Sequence, residues 1–412
     1  MKITGIKARQ IFDSRGLPTI ETDLTLNNSY FGRASIPSGA SKGMHEALEL
    51  RDGDEGYHGK SVLKAVNLIN EELGPHMLNF SFQSQEELDQ FLIDLDGTVN
   101  KSALGANTIL SISIAFAKAR ASVMGKHLFQ TLTTNNRFTL PKPMLNIING
   151  GVHADNGLDI QEFMIVPVKY TDINQNLKVA CEIFHSLRGI LKIGGYKVNT
   201  GDEGGFAPDI KSTNAALDLI VQAIEVAGYK LEKDVCLALD VAANELYQNG
   251  RYQLKSEGVQ LTNLELIKFY EELCSKYPII SIEDPLSETD LEGWKMITQR
   301  LGQKIKIVGD DLFVTNPKKL QQGIDEHLAN AILIKINQIG TMTETLKSID
   351  LAASNNFTNI ISHRSGETED TTIAHLAVAT SSQYIKTGSI SRTDRVCKYN
   401  ELMRIEEIVK HQ

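Results

Sequence analysis

In the second half of this chain, three acids, two lysines and a His-Arg-Ser triplet each stand at the end of a short apolar run. VCLALD ends on Asp240, IISIE on Glu283, IKIVGD on Asp310, AILIK on Lys335 and NIISHRS on Ser365, while YIKTG surrounds Lys386. Carboxylates brought together repel one another unless a cation sits between them. Asp240, Glu283 and Asp310 would offer hard oxygen ligands from separate segments, which suits Mg²⁺ and leaves it positions for substrate or water. Lys335, beside such a site and at a dry strand end, should lose affinity for its proton and approach the range of a general base. GDEGG at 201–205 sets Asp202 and Glu203 in a glycine-flanked turn. That turn could present a general acid, and an acidic surface turn fits it equally well. Taken singly, each acid reads more simply as a helix cap or surface ion pair, and the lysine as a snorkelling side chain. Three acids in phase favour the metal.

SHRSGETED at 362–370 supplies His363, Arg364 and Ser365 just before a helix. Arginine can fork onto a phosphate, and backbone N–H groups at a helix start favour anions. Lys386 adds a cation. The glycine-rich stretch NGGVHADNGLDIQEF (149–163) contributes His153, Gln161 and Glu162. PSGASKG (37–43), which contains Ser41, is a small-residue loop without Walker A spacing. A Mg²⁺ site, a lysine base, a carboxylic acid and a phosphate clamp together describe one reaction class. A proton would leave a carbon next to a carboxylate while the metal holds the enolate charge.

These groups need a scaffold that aims them at one point. Short runs rich in Ile, Val and Leu are strands buried on both faces, and their alternation with helical segments predicts a parallel sheet. Closed into a barrel, such a sheet collects its C-terminal strand ends at one rim. Helices are expected at 174–192, 212–228, 262–276, 288–301, 317–328, 342–355 and 368–381. Thr262 and Thr341 would be N-caps, and Ala215, Ala216, Leu219, Ile220, Ala223, Ile224 and Ala227 the buried stripe of the second helix. Before the barrel, residues 3–12, 18–26 and 30–36 alternate as an antiparallel meander, and helices follow at 60–73, 84–95 and 105–125. The predicted division is an α+β N-terminal domain at 1–125, a loop-rich connection at 126–142 and a β/α barrel at 143–412.

The 412 residues carry a net charge of −9, which argues against non-specific binding to nucleic acid or anionic membrane. Four scattered cysteines without a C-x-x-C pair read as small hydrophobes in a reducing compartment. The N-terminus has no secretory pattern, so the expected location is the cytoplasm.

Over essentially its whole length the chain resembles the enolase family, the phosphopyruvate hydratases of glycolysis, most closely the bacterial type. The resemblance runs through DSRGLPTIE (13–21), PSGAS, EALELRDGD (46–54), LGAN (104–107), NGGVHAD, QEFM, GDEGG, SIEDP, GDDLFVTNP, LIKINQIGT, SHRSGETED, IKTGS and NELMRIEE (400–407). It implies a TIM-like barrel with irregular first elements behind an α+β domain. It also implies Mg²⁺-dependent, reversible dehydration of 2-phospho-D-glycerate to phosphoenolpyruvate. By position, Asp240, Glu283 and Asp310 match the Mg²⁺ ligands, and Ser41 the loop residue at a second Mg²⁺. Lys335 matches the C2 base and Glu203 the acid at the 3-hydroxyl. Arg364, Ser365 and Lys386 match phosphate and carboxylate contacts, and His153, Gln161, Glu162 and His363 other substrate-site positions. The family is usually a homodimer, sometimes an octamer, and some members have a secondary cell-surface presence.

The chain departs from the family pattern at Lys42, where Thr is usual, at Leu17 for Asn, and at Asn244 and Leu246 for Ser and Phe. No departure removes a catalytic group, and Lys42 bears on the second metal. Rival readings are another acid dehydratase or racemase of the same superfamily, or a non-catalytic surface-binding paralogue. Lys335 and Glu203 together speak against the second.

Overall fold

The structure, a computed structural model, describes residues 1–40, 43–53, 55–134 and 137–411. Ser41 and Lys42 therefore lie outside the described residues. Alternating side chains build the first layer. β1 (Ile3–Phe12), β2 (Pro18–Leu26) and β3 (Tyr30–Ser35) form an antiparallel sheet in that order. Ile20, Thr22, Leu24 and Leu26 fall on one buried face of β2, as a period of two requires. Against β2 and β3 lies the helix Ala106–Val123, whose sequence is apolar nearly all round. Its other side meets the barrel helix Met342–Ser354, so it is covered on both sides. Close packing depends on Gly32, where a Cβ would stand 2.0 Å from Ala115 O and 2.5 Å from Ala119 N. The helix expected at 60–73 begins at Leu63 and runs on to Met77 through a wider turn at Leu68–Leu73.

The second layer is a closed eight-stranded barrel. Its strands are β4 (Lys142–Asn149), β5 (Glu162–Pro167), β6 (Val235–Asp240), β10 (Ile279–Glu283), β11 (Lys306–Gly309), β12 (Ala331–Ile334), β13 (Thr358–Ser362) and β14 (Tyr384–Lys386). The irregularity in the first elements has a definite form. β5 runs antiparallel to both β4 and β6, and every other pairing is parallel. Between β6 and the next helix, a small antiparallel sheet is inserted from β7 (Tyr247–Gln248), β8 (Arg251–Leu254) and β9 (Val259–Leu261). The turn-then-helix order expected after Asp240 is interrupted there.

Helices pack around the barrel with the expected caps. Thr262 Oγ1 accepts from Glu265 N at 3.3 Å and Thr341 Oγ1 from Glu344 N at 3.1 Å. The helix Thr213–Val226 buries a stripe displaced from the expected one. Leu217 is buried, whereas Ala215, Leu219 and Ala227 are only partly covered. A final helix, Thr393–Lys410, was not expected from the sequence and closes the barrel's last turn.

Inside the barrel, Met144, Met164, Val166, Ala238, Val308, Ala331, Leu333 and Ile360 form a separate apolar cluster. This plug fixes what happens above it. Successive side chains on a strand alternate between faces, so residues two positions beyond the plug also face the barrel axis. Ala238 leads to Asp240, Val308 to Asp310 and Leu333 to Lys335. On β5, which runs in reverse, Met164 leads back to Glu162. β10 carries a register irregularity between Ile279 and Ser281, which sets Glu283 directly beside Asp240.

Candidate active site

One polar nest sits on the apolar plug, with Lys386 Nζ in its middle. That ammonium lies 2.8 Å from Asp240 Oδ2, 2.8 Å from Glu283 Oε2 and 3.2 Å from Glu162 Oε1. All four side chains are almost wholly buried. Asp310, on the next strand, pairs with Lys335 Nζ and accepts from Gln338 Nε2 at 2.8 Å. Asp284 anchors that corner by accepting from the backbone N of Asp310 at 2.9 Å and of Asp311 at 3.0 Å.

The charge states follow from this crowding. Burial pushes Glu283 well above the ordinary carboxylate range, and the neighbouring charge of Asp240 adds to it. Burial also raises Asp240, but contact with Lys386 outweighs it and leaves Asp240 below that range. Lys386 is lowered by burial and raised further by Asp240, Glu162 and Glu283, so it stays charged. Lys335 runs against the sequence expectation. Burial is the largest single influence and lowers it, but the attractions of Asp310 and Glu283 together outweigh it and the net shift is upward. The fall expected for a base requires a competing positive charge on Asp310.

The donor set fits Mg²⁺. Asp240, Glu283 and Asp310 supply only hard oxygens, from three neighbouring strands. Metal-ligating atoms that already converge within 4.8 Å of one another, among the described residues, belong to two other groups: His153, Glu162 and Glu203, and Asp284, Asp310 and Asp311. The three expected ligands are instead divided between the two lysines.

Glu203 faces the nest from the 201–205 turn. It is 2% exposed, whereas its neighbour Asp202 is only half-buried, so the acid the sequence left open is the inward one. The turn needs Gly204, whose φ of +85° and approach to Ser391 O leave no room for a side chain, with a Cβ falling 2.6 Å from that oxygen. Glu203 accepts from Asn146 Nδ2 at 3.1 Å and lies 3.2 Å from His363 Nε2. His153 Nδ1 stands 3.5 Å from Glu162 and 3.7 Å from Glu203. Burial strips charge from both imidazoles, taking His363 to about 3. Glu162 is raised well above the carboxylate range, first by burial and then by the charge of Glu203. Glu203 goes below it, because His363, His153 and Arg395 outweigh burial. The two neighbouring carboxyls are thus pushed in opposite directions, Glu162 up and Glu203 down.

The remaining expected groups border the same space. Gln161 Nε2 donates to Asp240 Oδ2 at 3.2 Å. Arg364 forks onto Glu46 of the first layer, at 2.9 and 3.1 Å, and donates to Asn337 at 3.0 Å. Ser365 Oγ accepts from Ala40 N at 2.7 Å. The DSRG motif supports this loop, with Ser14 N donating to Glu367 O at 2.7 Å. Glu203, Glu162, Asp240, Asp310, Lys335 and Lys386 line one cavity with Arg364 and Ser365. Sequence reasoning missed Asn146, Gln338 and Arg395. Asn146 stands two residues beyond Met144 of the plug, and Gln338 follows Lys335 in LIKINQIGT, so both carried a usable signal. Arg395 carried none.

Residues 137–412 match the family described as "Enolase, C-terminal TIM barrel domain", and residues 3–132 that described as "Enolase, N-terminal domain". A protein named enolase from Ehrlichia ruminantium (strain Welgevonden) is 55% identical over 410 residues, which cover 99% of this chain and 97% of that one. Two matched domains in the same order, and identity running from end to end, agree with the barrel and the nest at its rim: the chain belongs to the enolase family.

Proposed function

We propose that this protein is a phosphopyruvate hydratase that interconverts 2-phospho-D-glycerate and phosphoenolpyruvate. One observation carries the division of labour. Lys335 follows β12, while Glu203 is held beside β4 and β5, and β5 stands four strands from β12 in either direction round the barrel. A substrate spanning the nest would thus meet a base on one side and an acid on the other. Lys335 would take the C2 proton and Glu203 would assist departure of the 3-hydroxyl. Arg364, Ser365 and Lys386 would bind phosphate and carboxylate, with His153, Gln161, Glu162 and His363 framing the substrate. Asp240, Glu283 and Asp310 would hold one Mg²⁺, and Ser41 would join a second. The chemistry Mg²⁺ supplies when bound is neutralisation of the dianion left by C2 deprotonation. Among the described residues no helix is long and apolar enough to cross a membrane. The same reading places the enzyme in the cytoplasm as a homodimer or octamer.

The test is conversion of 2-phospho-D-glycerate, followed by enolpyruvate absorbance. Turnover should vanish in excess chelator and return with Mg²⁺. Full turnover in chelator would overturn the metal assignment, and no turnover with Mg²⁺ would overturn the activity.

A further inference from the structure

Arg395, on the C-terminal helix, is fully buried behind the active site. Its Nη1 stands 2.6 Å from His363 Nδ1 and 2.5 Å from Arg364 O. Its Nη2 donates to Ser365 O at 2.6 Å and to Asp202 O at 3.2 Å, and its Nε lies 2.8 Å from Asp394 Oδ2. A guanidinium has donors only. The ring nitrogen facing it must therefore accept, so His363 Nδ1 carries no proton. A neutral imidazole then bears its single proton on Nε2, the atom 3.2 Å from Glu203 Oε1.

We propose that Arg395 is a positioning residue for the proton transfer at Glu203: it locks His363 as the neutral Nε2–H tautomer, which sets that N–H 3.2 Å from Glu203 Oε1. His363 would then tune and aim Glu203 without carrying a proton of its own to the substrate. This rests on the reading of Glu203 as the acid. Burial, which takes His363 down to about 3, and the nearby charge of Arg395 act together against an imidazolium. A competing role is simple bracing, since three of the contacts of Arg395 are to the carbonyls of Asp202, Arg364 and Ser365. Bracing makes no demand on the tautomer, and that difference is measurable.

The experiment uses the intact protein labelled with ¹⁵N-histidine, with long-range ¹H–¹⁵N correlation spectra and a His363→Gln variant to identify the resonance. The expected spectrum shows a bare Nδ1 and a protonated Nε2 at His363, unchanged from about pH 6 to 8, where an ordinary histidine titrates. An Nδ1–H tautomer or an imidazolium would overturn the proposal, and this readout needs no arginine variant to fold. In Arg395→Lys, dehydration kcat should fall roughly 100-fold, the scale of one acid–base contribution, with KM and C2 proton exchange little changed. A rise in KM with exchange and dehydration falling together would show bracing alone. The spectrum is independent of turnover, so a wild-type protein without hydratase activity would sink the proposed function and leave the tautomer assignment to be judged on its own result.

Discussion

The two layers of this protein are pinned together by Asp370, and the pin should be visible as a pH-dependent stability. Its Oδ2 accepts from Lys118 Nζ at 2.6 Å and from Ser35 N at 3.1 Å, both in the first layer. Its Oδ1 accepts from Thr372 N at 2.8 Å, at the start of a barrel helix. The side chains of Asp370 and Lys118 are 9% and 22% exposed, so solvent screens the pair only weakly. Burial raises the carboxyl, but Lys118 and the Thr372 donors outweigh it, and the pKa falls from 3.8 to about 2. At about 1.4 kcal/mol per pH unit, that amounts to roughly 2 kcal/mol of stability. A depressed folded-state pKa means that this contribution is complete above the unfolded value of 3.8 and is lost as pH falls toward 2. Roughly half should be gone by about pH 3. Asp370→Asn keeps the shape but turns an NH₂ toward either Lys118 or Thr372 N. Urea unfolding of both proteins at neutral pH should therefore show the variant weaker by about 2 kcal/mol or more, the gap narrowing on acidification. A gap independent of pH, or none at neutral pH, would refute the reasoning.

Two further outcomes follow from single positions. Gly204→Ala forces a Cβ against Ser391 O at a positive φ, which costs on the order of 1–3 kcal/mol and displaces Glu203. Both melting temperature and kcat should fall, and a change in neither would mean that the turn relaxes freely. Lys42 adjoins Ser41 in sequence, and like charges a few ångströms apart cost roughly 1–4 kcal/mol. The Mg²⁺ requirement should therefore be high and be relieved in Lys42→Thr, whereas superimposable Mg²⁺ titrations would show a neutral substitution.

The barrel was legible because strands buried on both faces leave a plain signature, an apolar run ending on one polar residue. Asp240, Asp310 and Lys335 stand where they do because each lies in phase with a residue of the plug. The reversal of β5 was not legible, since FMIVPV reads alike in either direction, and only pairing with Asp240 brings Glu162 to the rim. The helix Thr393–Lys410 escaped notice for a physical reason. Its buried face carries Arg395, Lys398 and Glu406 among Tyr399, Leu402 and Ile405, so charge interrupts the apolar period. The same interruption hid Arg395. The upward shift of Lys335 comes from the carboxylates that neighbouring strands bring into contact, whereas the sequence reading set it beside a metal at a dry strand end. Nor could spacing show that Glu46 of the first layer engages Arg364, a contact between residues 318 positions apart.

The claim that Lys335 and Glu203 divide the two proton transfers is tested most directly by exchange of the C2 proton with solvent, measured beside dehydration in both variants. Lys335→Ala should abolish exchange and dehydration alike. Glu203→Gln should abolish dehydration while exchange continues, since the base is intact on the far side of the barrel. Equal loss of exchange in the two variants would contradict the assignment.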